Sequence, residues 1–160
     1  MTKSRKLLLA TGALLALCGV GYAIARVVVE NSSPMPANLG VTSGQLAPCP
    51  ETPNCVTSRA TRADQAITPI IYSGTAEEAQ ARLLGVLQAM PRLTIITNQP
   101  GYIHAETRTA FWGFVDDNEF YFDDAAKIIE VRAAARLGQS DLGNNRARLE
   151  EIRAAFEAAP

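Results

Sequence analysis

Histidine and cysteine are scarce in this sequence, which holds one histidine, His104, and three cysteines, Cys18, Cys49 and Cys55. So few cysteines exclude a disulfide-rich scaffold. A closed structural zinc site takes four ligands, and Cys49, Cys55 and His104 fall short of that number. Only an open Cys₂His site completed by water stays available to them. No C-x-x-C pair is present, which removes the usual redox spacing. An excess of charge of either sign is also lacking: 15 Lys+Arg against 16 Asp+Glu leave a net charge of −1. Nucleic-acid binders usually carry a basic face, so that partner class is excluded. The stretch "LGQSDLGNN", residues 137–145, has too few glycines at the required spacing for a phosphate loop. No metal or cofactor is implied.

What is present begins at the N-terminus. Lys3, Arg5 and Lys6 precede an uncharged run from Leu7 to Ala25. At 1.5 Å per residue that run spans roughly 28 Å, close to the thickness of a bilayer's hydrocarbon core. Arg26 alone follows it closely, so the positive-inside rule keeps the N-terminus in the cytoplasm and exports the rest. Residues 1–29 therefore read as an uncleaved anchor, continued past a snorkelling Arg26 by Val27–Val29, or as a signal cleaved after Ala23-Ile24-Ala25. The second case leaves a secreted or periplasmic protein. Residues 30–48, rich in Ser, Pro, Asn and Gly without an apolar period, read as a flexible linker. In an oxidising compartment Cys49 and Cys55, six positions apart, favour a structural disulfide.

Residues 49–160 read as one globular α+β domain. Strands are expected over Ala66–Tyr72, Leu93–Asn98, Tyr102–Arg108, Gly113–Asp123 and Lys127–Arg136. A helix opens on a Thr75/Glu78 capping box, stops at Pro91, and carries Ala76, Ala79, Leu83, Leu87 and Met90 on one stripe. A second helix, N-capped by Asp141, carries Leu142, Asn145, Leu149, Ile152 and Phe156, with i,i+4 pairs Arg146–Glu150 and Arg153–Glu157 outside. The order β-α-β-β-β-β-α implies an antiparallel sheet of about five strands with both helices on one face.

The segments "PCPETPNCVTS", "YIHAETRT", "GFVDDNEFYFDD" and "VRAAARLGQSDLGNNRARLEEIR", in this order between Leu39 and Phe156, resemble the uncharacterised family called domain of unknown function 1499. The family pattern C-P-x-S-P-N-C meets Thr52 here, and its R-S-A-S-R segment reads Arg132-Ala133-Ala134-Ala135-Arg136. The resemblance implies order and location and assigns no activity.

Strand alternation gathers His104, Glu106, Asp117, Glu119 and Arg132, joined by Arg108 and Glu130, on the sheet face away from the helices. That face is either a solvated surface of weak ion pairs or a charged platform that binds a polar ligand. Asp116 falls in phase with Phe120 and Phe122, so it needs a bulge or a buried partner. Asp116, Arg136, Asp141 and Asn145 are expected to form one structural network at the helix–sheet junction. The functional expectation is a membrane-tethered, extracytoplasmic binding or accessory domain, with an envelope protein or a polar small molecule as partner. The alternatives are a cell-envelope enzyme working by acid/base or metal-assisted chemistry on the charged face, and a structural subunit of a membrane complex.

Overall fold

The computed structural model describes residues 2–159, so the limits Met1 and Pro160 of the expected divisions lie outside the described residues. Helix α1, Lys3–Asn31, contains an 18-residue window of mean hydropathy 2.1, none of it buried against the protein. It is long and apolar enough to cross a membrane. It runs straight through Arg26 and Val27–Val29, and Ser33 Oγ donates to the Val29 carbonyl just beyond its end.

The segment that reads as a linker is not featureless. It folds into a hairpin of β1, Val41–Thr42, and β2, Gln45–Leu46. Ser43 and Gly44 turn it with φ of 52° and 73°, the paired positive values of a tight hairpin turn. Each strand is two residues long, too short to show an alternation, which is why no strand is legible there. Leu46 is buried, and β2 lies against the main sheet.

That sheet has six strands, in the antiparallel order β3-β8-β7-β6-β5 with β4 also on β8. They are β3 (Cys55–Thr57), β4 (Ile70–Ile71), β5 (Leu93–Gln99), β6 (Tyr102–Arg108), β7 (Val115–Asp123) and β8 (Ile128–Ala135). The expected strand over residues 66–72 shrinks to Ile70–Ile71, since Pro69 lacks the N–H a ladder needs. The short β3 shares the same outer edge. Register is unbroken from β6 through β7 to β8, and the one irregularity lies between Ile95 and Thr97 on β5.

Helix α2, Ala76–Ala89, starts on the expected capping box: Glu78 N–H donates to Thr75 Oγ1 at 3.1 Å and Thr75 N–H to Glu78 Oε2 at 2.9 Å. Helix α3 is Asn144–Ala158. Both pack on one face of the sheet, where Leu83, Leu87, Ile103, Phe120, Ile152 and Phe156 form the centre of the core. The Arg82 guanidinium lies 4.7 Å over the Phe156 ring.

Helix α3 corrects three expectations. Its N-cap is Gly143, in the left-handed region, and Asp141 acts from two residues earlier by accepting from the N–H groups of Gly143 and Asn145. Leu142 therefore precedes the helix and is 91% exposed instead of joining the buried stripe. Arg146 donates to the carbonyls of Asp64 and Ala66, and Arg153 to those of Thr68 and Pro69 and to Glu150. Carbonyls of the strap before β4 displace the expected i,i+4 partners.

Phe156→Ala should lower unfolding stability by about 3–5 kcal/mol in urea titration, as a large core truncation does. Leu142→Ala should change it by less than about 0.5 kcal/mol, as a surface change does. Comparable losses for both would place Leu142 in the core stripe after all.

Candidate functional site

Unbroken register sorts the charged side chains into rows. Tyr102 faces Tyr121, which faces Glu130; His104 faces Glu119, which faces Arg132; Glu106 faces Asp117, which faces Ala134. All lie on the face opposite the helices. The structure thus brings together the five residues expected there, His104, Glu106, Asp117, Glu119 and Arg132. It does not leave them open. Their exposures are 2%, 7%, 1%, 0% and 4%, so the face is an interior and not a solvated surface.

The cover comes from the chain between α1 and β3. Gly40 N–H donates to Glu119 Oε1 at 2.7 Å. The Ser33 carbonyl accepts from Arg136 Nη1 at 3.1 Å. The hairpin lies across β7 and β8, and Arg59 reaches in to Glu130 at 2.6 Å. The supposed tether is the lid of the charged face.

There four carboxylates meet four arginines, Arg132 and Arg136 buried under the cover and Arg59 and Arg108 reaching in from its half-exposed rim. Arg136 grips Asp117 through two nitrogens, Nε to Oδ2 at 2.9 Å and Nη2 to Oδ1 at 2.7 Å, and reaches Glu106 Oε1 at 2.5 Å. His104 Nε2 lies 2.8 Å from Asp117 Oδ1. Arg108 donates to the other oxygen of Glu106. Glu119 accepts from Arg132 at 2.7 Å and from the Tyr102 hydroxyl at 2.9 Å. Two-pronged arginine–carboxylate bonds are the strong kind, and a desolvated charge requires such a partner.

The titration of these groups follows from that balance. Burial pushes Asp117 up, but the hydrogen bonds from His104 and Arg136 and the Arg136 charge outweigh it, and its pKa is lowered. Arg136 is raised, chiefly by its hydrogen bond to Asp117. Tyr102 is raised by burial first and by the neighbouring Glu119 charge second.

The second expected network forms with different membership. Asp116 sits on the helix side without any bulge, buried and paired with Arg148 of α3 at 2.7 Å. Arg148 also donates to Asn145 and Asn118, and Asn145 donates to the Asn54 carbonyl. Asp141 joins through the Asn145 N–H. Arg136 does not belong: it follows Arg132 by four residues and falls in phase with it, on the opposite face. Burial raises Asp116 despite Arg148. Arg148 escaped the sequence reading because it lies one residue before Leu149, beside the apolar stripe and not on it.

Cys49 and Cys55 form a disulfide. Between them Asn54 donates to the carbonyls of Ala135 and Gly138, so the loop is fastened to the end of β8. Thr52, at the position of the family pattern's serine, donates to Asn54 Oδ1. Among the described residues no group of three or more His, Cys, Asp or Glu side chains is placed to hold a metal ion.

The surface clefts open elsewhere. One, of about 320 Å³, is bordered by Arg92, Arg108, Arg148 and Glu151. Another, of about 340 Å³, lies between the turn at 109–114 and the loop at 137–144. Neither includes His104, Glu106, Asp117, Glu119 or Arg132 in its walls.

In comparison with known proteins, the family model described as protein of unknown function (DUF1499) matches residues 45–156, most of the chain. No curated protein matches.

Arg136→Met should destabilise the protein by about 3–5 kcal/mol, because it takes the buried arginine from two buried carboxylates and leaves Glu106 only Arg108 and Asp117 only His104, and adding Asp117→Leu should recover part of the loss. The two aspartates should also respond oppositely to pH. Asp117, lowered by folding, contributes stability that is present above the ordinary carboxylate value near pH 4 and is lost as pH falls through its folded value. Asp116, raised by folding, contributes stability that is present below that value and is lost as pH rises through its folded value. In urea titrations across acid pH, Asp117→Asn should flatten the acid loss and Asp116→Asn should steepen it. The same sign of change in both variants would contradict these assignments.

Proposed function

We infer that this chain, which belongs to the DUF1499 family, is a membrane-tethered extracytoplasmic accessory module that acts through its outer surface and its tether. The observation that carries this reading is α1, whose apolar window is wholly unburied while its end leads directly into the folded domain. A surface so apolar is stable only when something other than water covers it, and a bilayer fits its length. The basic residues Lys3 and Arg5 before the run favour export of the domain, and the Cys49–Cys55 bridge suits an oxidising compartment.

The charged face supports a structural role more than a catalytic one. A substrate would have to reach side chains at most 7% exposed, whose strongest bonds are already made to one another. A polar ligand expected at His104, Glu106, Asp117, Glu119 and Arg132 would need the 33–46 segment to leave. The binding reading therefore shifts to the outer clefts, with an envelope component as the kind of partner a tethered module meets.

A reporter active only outside the cytoplasm, fused after Pro160, should be active, and the mature protein should retain its N-terminal helix. Activity of a cytoplasmic reporter at that point would overturn export, and a mature N-terminus at Arg26 would replace the tether with a cleaved signal. Non-reducing mass mapping of protein from the same cells should find Cys49 joined to Cys55. Changing both to Ser should cost about 2 kcal/mol without abolishing the fold.

A further inference from the structure

The turn between β6 and β7 is the most apolar exposed part of the folded domain. Phe111, Trp112 and Phe114 are 61%, 44% and 36% exposed, and Leu142, at 91%, borders the same cleft. Contiguous apolar patches on a soluble surface mark contact sites. This one is held to α1. The Tyr22 ring lies 4.9 Å from that of Phe111 and 6.3 Å from that of Trp112. The Tyr22 hydroxyl donates to the Phe111 carbonyl at 2.6 Å, and Arg26 donates to the carbonyls of Phe111 at 3.1 Å and Ala110 at 3.3 Å. Gly113 serves this contact twice: its φ is +75°, and a Cβ there would meet Arg26 Nη2 at 2.9 Å.

We propose that Phe111, Trp112, Phe114 and Leu142 are seated in the bilayer leaflet on the domain's side, next to the point where α1 leaves it. The proposal rests on the reading that α1 crosses the membrane.

Depth supports it. Tyr22 lies in the last turn of the uncharged run and Arg26 directly follows that run, so the two mark the level where hydrocarbon gives way to headgroups. Side chains fastened to them share that level, where Trp and Tyr concentrate in membrane proteins. Val20 and Ile24 of α1, within a few residues of Tyr22, are exposed, so lipid has access to that level.

The backbone of the turn is partly satisfied within the protein, while the N–H groups of Ala110, Phe111 and Trp112 are left to water, which suits the headgroup edge of the leaflet. In hydrocarbon a polar backbone group needs a partner from the protein. Thr109 N–H donates to the Phe114 carbonyl, Gly113 N–H to the Thr109 carbonyl, and Phe114 N–H to Thr109 Oγ1. The carbonyls of Ala110 and Phe111 are taken by α1. Arg26 Nη1 thus bridges two carbonyls of the turn, which couples the domain's orientation to α1.

Trp112 is the chain's one tryptophan, so its emission reports on this turn alone. The full chain is placed in phosphatidylcholine nanodiscs with and without bromine on the acyl chains near the headgroup. A second protein, Val20→Trp in a Trp112→Phe background, reports on α1 close to the bromine's depth. The expected result is loss of emission from both tryptophans in brominated lipid, with Trp112 shielded from aqueous iodide. If the α1 tryptophan is quenched by brominated lipid while Trp112 is quenched by iodide only, the turn faces water or a missing protein partner, and the proposal is overturned with the tether intact. If neither tryptophan responds to brominated lipid, the spanning reading falls with it.

Discussion

Charge buried with charge is the constraint on which this structure depends. The face of the sheet away from the helices carries Glu106, Asp117, Glu119, Glu130, Arg132 and Arg136, all withdrawn from water or nearly so. Such a face cannot simply be covered by apolar side chains, because every desolvated charge would lose several kcal/mol without a partner. The chain meets the constraint with lateral pairs across β6, β7 and β8 and with backbone groups from above. Gly40 N–H and the Ser33 carbonyl each complete one end of a pair. The segment after α1 is therefore part of the domain's second interior, and the helix that precedes it is coupled to the sheet through a few residues.

The helix side is a conventional apolar core with one polar corner. Asp116 and Asn118 continue the face that Phe120 and Phe122 begin, and Arg148, Asn145 and Asn54 close over them. Asn54 lies inside the disulfide loop and bonds to both ends of the turn that follows β8. The Cys49–Cys55 bridge thus holds the residue that joins loop, strand and helix. The segment "RAAAR" serves both interiors by alternation: Arg132 and Arg136 point to the charged side, while Ala133 is buried in the apolar core. Ala133 lies opposite Val56 in the β3–β8 pair, and both belong to the apolar core.

Long periodic elements were readable from the residues. The capping box of Thr75 and Glu78, the stripe of α2, and the alternation of β6, β7 and β8 follow from local chemistry, and the two faces of the sheet follow from alternation. Alternation also brings His104, Glu106, Asp117, Glu119 and Arg132 together, but the cluster's Arg136 was expected in the other network and Arg59 was not expected. The cluster's burial was not readable, because the cover is a Pro- and Gly-containing segment whose strands are two residues long and whose bonds run through main-chain groups that carry no side-chain signal. Partner choice failed where long side chains had several options. Arg148 took Asp116 from Arg136, and Arg146 and Arg153 passed over their i,i+4 glutamates for carbonyls of the strap before β4, Arg153 keeping Glu150 as well. The aromatic turn at 111–114 gained meaning only once α1 was found beside it.

The domain is tied to α1 at two places: its charged interior through Ser33 and Gly40, and its surface turn through Tyr22 and Arg26. The first of these contacts decides whether the charged face is an interior at all. Hydrogen exchange of the Gly40 amide in the full chain tests it most directly. If Gly40 N–H is held by Glu119 beneath the cover, its exchange should be slowed as strongly as that of amides in β7, and Glu119→Gln should speed it. Exchange at the rate of an unstructured glycine would mean that the segment is a free tether and that the charged face lies open to solvent.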